Sequence, residues 1–129
     1  MEKEESNLKS QTLIHFPLSE AEVLPRSYGI MYRLSATYAG LKNMQVLLME
    51  INPGYSTSRH HHPNEEVLYV MEGEVVVHGE DSCFTIKVQD TLIIRPGEVH
   101  QLENKSHDQI CRIMLAVSPP RDQKQVVYV

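Results

Sequence analysis

The sequence predicts an all-β domain, a sandwich or a barrel. Three observations carry that expectation. From Asn43 onward the chain is a series of short, β-branched apolar runs cut by turn residues. No helical stripe of ten or more residues follows Asn43, which argues against alternating strands and helices. The chain has 129 residues, the length of one domain, and can bury a full core without staples.

The elements follow in order. Met1 to Thr12 is polar and acidic, with the composition of a disordered tail, so the domain is expected over 13–129. Leu13 to Ala39 forms an N-terminal extension. Within it, Ser19 to Glu22 reads as a short capped helical turn limited by Pro25, and Gly29 to Ala36 as a candidate edge strand. Met44 to Ile51 is the first clear apolar run, closed by Asn52-Pro53-Gly54. Glu66 to Met71 is closed by Glu72-Gly73, and Val75 to Val77 by the turn Gly79 to Ser82. Phe84 to Val88, Leu92 to Ile94, His100 to Glu103 and Ile110 to Val117 continue the series up to Pro119-Pro120. Val126 to Val129 adds a late strand. No internal repeat of solenoid length is visible.

Composition excludes several functions. The net charge of −5 and a pI of about 5.8 argue against a nucleic-acid or anionic-membrane footprint, which needs clustered Lys and Arg. No apolar run is long enough for a membrane span, and the N-terminus lacks the basic and apolar regions of an export signal. Cys83 alternates with Thr85 and Lys87, on a polar face. Cys111 alternates with Ile113, Leu115 and Val117, on an apolar one. A bridge between them is not expected; reduced structural thiols in a cytoplasmic protein are the simpler reading.

The chemistry lies in two patches. The stretch Gly54 to Glu66 carries His60, His61, His62, Glu65 and Glu66 within seven residues. In an extended strand, residues two apart share a face, about 6.6 Å apart at Cα. His60 and His62 can therefore converge on one ion while His61 points away. Parity favours Glu66 over Glu65 as their carboxylate partner, although Pro63 and Asn64 can bend the chain. Imidazole with carboxylate suits a divalent transition metal. In the second patch a Pro96-Gly97 turn leads into a strand that begins with His100. If the sheet closes, His100 supplies a third nitrogen.

Together these patches resemble the two motifs of the cupin family. Gly54, His60, His62, Glu66 and Gly73 meet every spacing of the first motif. Gly97, His100 and Asn104 fall in register with the second. Two positions depart: Gln89 stands where a glycine is usual and Arg95 where a proline is usual. Fifteen residues separate Gly73 from Gln89, similar to the spacer of small single-domain cupins. The flanks extend the likeness to a motif core over 44–118.

The resemblance implies an antiparallel jelly-roll β-barrel with an N-terminal extension. It implies one divalent transition metal per chain, Fe, Mn, Ni, Zn, Co or Cu, held by His60, His62, Glu66 and His100. In an octahedral ion these four leave two positions for substrate, water or O₂. Asn104 is expected to fix the end of the strand that His100 begins. Arg112 and Tyr69 are the candidate substrate-binding residues. Arg112 matches a carboxylate by its planar guanidinium and sits mid-strand, where a charge is costly unless paired. Arg33 and Arg59 are weaker candidates. His78, His107 and His15 read as turn or surface residues, and the methionines as core filler.

The expected activity is a metal-dependent enzyme, dioxygenase-like before isomerase or lyase, on a small organic acid, phenol or sugar. A non-catalytic module binding metal or small ligand is the alternative, and a vestigial site a third. The only partners expected are a small-molecule ligand and a second copy of the chain. Met44 to Ile51 and Ile110 to Val117 are apolar on nearly both faces, so a strand there needs a covering layer, and a homodimer supplies it, with the Leu13 to Ala39 region contributing.

Overall fold

The computed structural model describes residues 13–34 and 41–129. The expected tail, Met1 to Thr12, lies outside the described residues. Among those described the chain forms eleven strands: β1 Glu22–Arg26, β2 Gly29–Arg33, β3 Gln45–Ile51, β4 His60–His61, β5 Glu65–Glu72, β6 Glu74–His78, β7 Cys83–Lys87, β8 Thr91–Ile94, β9 Gln101–Glu103, β10 Cys111–Ser118 and β11 Val127–Tyr128. No helix among them is long and apolar enough to cross a membrane. From Gln45 onward the strands fall on the apolar runs of the sequence to within a residue or two, except β4, a two-residue strand of histidines that no apolar run marks.

The N-terminal extension departs from expectation. A 3-10 turn at Leu18–Glu20 replaces the expected turn at Ser19 to Glu22, and the chain then runs straight into β1 through Pro25. Pro25 is tolerated because β1 is the outer edge of its sheet and pairs only with β2, so the missing N–H breaks no central ladder. The candidate strand Gly29 to Ala36 is realised as β2. Its last two positions lie outside the described residues.

Two antiparallel layers make the jelly roll. The larger has the order β1-β2-β3-β10-β5-β8, and the smaller the order β7-β6-β9. The pair β4 and β11 extends the smaller layer through isolated bridges from Ser56 to Glu103 and from His60 to His100. Period-two alternation then sorts the side chains. On β5, Glu66, Leu68 and Val70 face inward while Glu65, Val67, Tyr69 and Met71 face out. On β10, Cys111, Ile113, Leu115 and Val117 face inward. Leu47, Ile51, Leu68, Ile113 and Leu115 are fully buried, each worth roughly 1.5–3 kcal/mol of transfer free energy. Cys83 and Cys111 are both free, exposed and buried respectively, and burial pushes the Cys111 thiol up to about 12.

The turn between β7 and β8 carries a backbone cost. Gln89 has φ +74°, alone among the described non-glycine residues in being positive. It occupies the position where the motif usually has glycine. Asp90 N–H donates to Lys87 O at 2.9 Å and Lys87 N–H to Asp90 Oδ2 at 3.0 Å, which hold the turn against the strain. A side chain in this region costs about 1 kcal/mol or more. Gln89→Gly is expected to raise the unfolding free energy by about 0.5–1 kcal/mol, the freer unfolded chain cancelling part of the gain. Urea unfolding with an unchanged slope checks this; equal or lower stability would contradict the strain.

Candidate metal centre

The site begins with backbone pairing. His60 N–H donates to His100 O at 3.1 Å and His100 N–H to His60 O at 2.9 Å. Gly97 N–H donates to His62 O at 2.9 Å, so the Pro-Gly turn is tied to the His-x-His segment. With the two segments fixed side by side, their alternation turns His60, His62 and His100 together. Ring centroids lie 5.5 Å apart for His60 and His62, 4.3 Å for His60 and His100, and 5.0 Å for His62 and His100. One nitrogen from each lies within 4.8 Å of the others. His61, one residue out of phase, is not in this group and pairs instead with Val127.

Hydrogen bonds set the ring tautomers. His60 Nδ1 lies 2.8 Å from Ser58 O, and His100 Nδ1 lies 2.9 Å from Glu98 O. A carbonyl only accepts, so each Nδ1 carries the proton and each Nε2 keeps its lone pair. Burial is the main force on both rings. It pushes His60 down to about 4, helped by the Arg121 guanidinium and the neighbouring His100 and His62 rings and opposed by the Ser58 bond. His100 is lowered for the same first reason. Both are neutral at pH 7, the form that binds metal.

His62 and Glu66 complete the cluster. His62 is buried and neither ring nitrogen makes an aligned hydrogen bond, although Nε2 lies 2.9 Å from Glu66 Oε1. A buried polar atom left in this state is costly, and a cation is what would satisfy it. The three histidines thus fit a divalent transition metal by donor type and proximity, and His60 and His100 also by tautomer. Glu66 is also buried. Burial pushes its carboxyl up, but the adjacent His62 ring and the Arg121 guanidinium outweigh it, so the group lies below the usual carboxylate range.

The cluster opens onto a cavity of about 700 Å³. Met31, Leu47, Met49 and Leu102 give it apolar wall, and Arg26, Tyr28, Arg33 and Arg121 give it polar wall. Arg121 Nη2 donates to Glu66 Oε1 at 3.0 Å. Burial raises the Tyr28 phenol, with Arg26 and Arg121 pulling the other way. Tyr128 lies over His60, centroids 6.2 Å apart, and its hydroxyl accepts from Gln123 Nε2 at 2.6 Å.

The two candidate substrate residues are elsewhere. Neither Arg112 nor Tyr69 lines the cavity. Arg112 faces out from β10 between two cross-strand carboxylates, with Nε 3.0 Å from Glu50 Oε2 and Nη1 3.4 Å from Glu72 Oε1. Its mid-strand charge is therefore paired, but on the outside of the barrel. Tyr69 alternates outward with Val67 and Met71. Arg59 pairs with Glu80, and Arg33, though on the cavity wall, pairs with Glu22. Asn104 is buried at the end of β9, donating to Ile51 O at 2.9 Å and Gln109 O at 2.8 Å. Sequence reasoning missed Arg121, Tyr28 and Tyr128. They lie on the flanks, beyond Pro119-Pro120 or before Asn43, and no local pattern marks them.

The family model described as the cupin domain matches residues 47–117, more than half of the chain. The chain belongs to the cupin family. Its curated relatives include the tetracenomycin polyketide synthase protein TcmJ of Streptomyces glaucescens. That match is 29% identical over 72 residues, covering 55% of this cupin and 48% of TcmJ. The chain spans about half the length of the curated relatives it matches. Among solved structures, the polyketide cyclase RemF from Streptomyces resistomycificus superposes with a TM-score of 0.75 at 20% identity, covering 92% of this chain and 86% of that one. The nucleoside dehydratase Pac13 of Streptomyces superposes at 0.74 with 13% identity, covering 92% of both chains. At these identities the superpositions establish the shared fold of the cupin.

Proposed function

We propose that this cupin is a metal-dependent enzyme holding one divalent transition ion on His60, His62 and His100, with Glu66 as fourth ligand. Its substrate is a small oxygen-rich organic molecule bound in the adjoining cavity. The observation that carries the reading is the convergence of three imidazoles, one buried without an aligned hydrogen bond, on a cavity with apolar and cationic walls.

When bound, the ion would supply Lewis acidity to a carbonyl or hydroxyl oxygen of the substrate. The chain's own groups do the rest. Ser58 O and Glu98 O orient the rings of His60 and His100 through their Nδ1 protons. Glu66 is ionised and offsets positive charge at the centre. Tyr28 keeps its phenol proton at neutral pH and can donate it to a substrate oxygen. The apolar wall excludes water from the organic part of the substrate.

The reaction class we favour is proton transfer without net oxidation: cyclisation, dehydration or isomerisation. The activities of two similar structures, a cyclase and a dehydratase, support it over the dioxygenase-like chemistry expected at first. Elemental analysis of protein purified without tag or chelator is expected to give about one transition metal per chain. The His60→Ala and His100→Ala variants are expected to lose it. A panel of oxo acids, polyketide-like phenols and sugars should then show turnover without oxygen consumption. Substrate-dependent O₂ uptake would restore the dioxygenase reading, and metal without turnover would leave a binding module. No metal, even after reconstitution, would overturn the proposal.

We also propose a homodimer formed through the outer face of the larger sheet. There Val67, Tyr69, Ile93 and Met114 form an exposed apolar patch on neighbouring strands. Light scattering at micromolar concentration is expected to give twice the 14.8 kDa chain mass. A mass of one chain would contradict it.

A further inference from the structure

The cavity is lined by three arginines against two carboxylates, Glu66 and Asp122. Its wall carries Arg26, Arg33 and Arg121. Arg33 is neutralised by Glu22 at 3.2 Å. Arg26 makes no ion pair among the described residues, and its guanidinium donates to the Pro25 carbonyl. Arg121 has Glu66 as its carboxylate partner, and the same Glu66 oxygen lies against His62.

Arg121 is also incompletely bonded. Its Nη2 reaches Glu66 Oε1 and its backbone N–H reaches Gln45 Oε1 at 3.3 Å, yet its Nε–H is buried without an acceptor. A buried guanidinium N–H is seldom left this way in a finished structure, because burial removes the water that would otherwise accept it. The guanidinium fork is suited to an oxyanion, which can take two of its N–H groups at once. Arg26, Tyr28 and Arg121 line the same cavity, so the two cations share one wall with the phenol. Arg121 lines the same cavity as His60 and His100, and the Glu66 oxygen it bonds lies 2.9 Å from His62 Nε2, so an anion at Arg121 would sit beside the histidine cluster.

We propose that Arg121, assisted by Arg26, holds an oxyanion group of the substrate, a carboxylate or a phosphate, beside the three histidines. This names the substrate class of the site described above and rests on that cavity being the substrate pocket; it does not require that a metal be bound. The apolar wall from Met31, Leu47 and Met49 takes the carbon body of the same molecule, so a small organic oxyanion is favoured over an inorganic one. The Arg121–Glu66 bond then has a second use. It holds the guanidinium in place before the ligand arrives, which lowers the ordering cost of binding.

The test is calorimetric titration of malonate and of inorganic phosphate into the full-length protein, wild type and Arg121→Gln, Arg121→Lys and Arg26→Gln. The same titrations are repeated in a His60→Ala background. Binding of at least one probe to wild type is expected, weakened about tenfold or more by Arg121→Gln and less by Arg26→Gln. Arg121→Lys should recover part of the affinity, because it keeps the charge and loses the fork. A preference for malonate assigns a carboxylate and a preference for phosphate a phosphoryl group. Persistence of the arginine dependence in the His60→Ala background supports the subsite even if the metal reading fails. Neither probe binding wild type would overturn the proposal. So would affinity unchanged in Arg121→Gln, or an equal loss in the Lys and Gln variants. In those cases a metal bound to the wild type would still leave the metal reading standing.

Discussion

Two backbone hydrogen bonds between His60 and His100 hold the centre of this molecule together. They join segments forty residues apart in the chain, and they fix the register between them. Strand pairing has a period of two, so a slip of one residue would send His60 outward and bring His61 in. The neighbouring contacts reinforce the same register. Gly97 bonds His62, β11 pairs with β4 on its far side, and Ser56 bridges to Glu103. The three imidazoles meet because their backbones cannot shift.

Around that register the electrostatics are mutually consistent. Burial keeps the His60 and His100 rings neutral, and carbonyl acceptors at Nδ1 leave Nε2 free. Glu66 is buried but stays ionised because His62 and Arg121 face it. Charges on the outside are handled differently. Arg112 on β10 is satisfied by Glu50 and Glu72 on the strands to either side. One arginine is held by register on the outer face. The other, Arg121, is placed on the cavity wall by the segment that follows the last long strand.

Much of this was legible in the sequence. Apolar runs and turn residues located the strands from Gln45 to Ser118 other than β4, and the His-x-His spacing anticipated that His60 and His62 would share a face. Parity also placed Glu66 inward and Cys111 in the core. Other features were not readable, for physical reasons. Pro25 looked like a stop signal, but an edge strand has a side where a missing N–H costs nothing. Whether Arg112 faced in or out depended on its strand's pairing partners, which local pattern does not name. Arg121 sits fifty-five residues from Glu66 and is brought to it only by tertiary folding. Gln89 was visible as a departure from the motif, and its positive φ shows that the backbone kept the glycine conformation without the glycine.

We propose that the three histidines form a metal centre. Crystals of the protein reconstituted with zinc, measured at the metal absorption edge, test it most directly. One anomalous peak per chain is expected, about 2.1 Å from a ring nitrogen of each of His60, His62 and His100. A map with no peak between these rings, or with its only peak elsewhere on the chain, would contradict it.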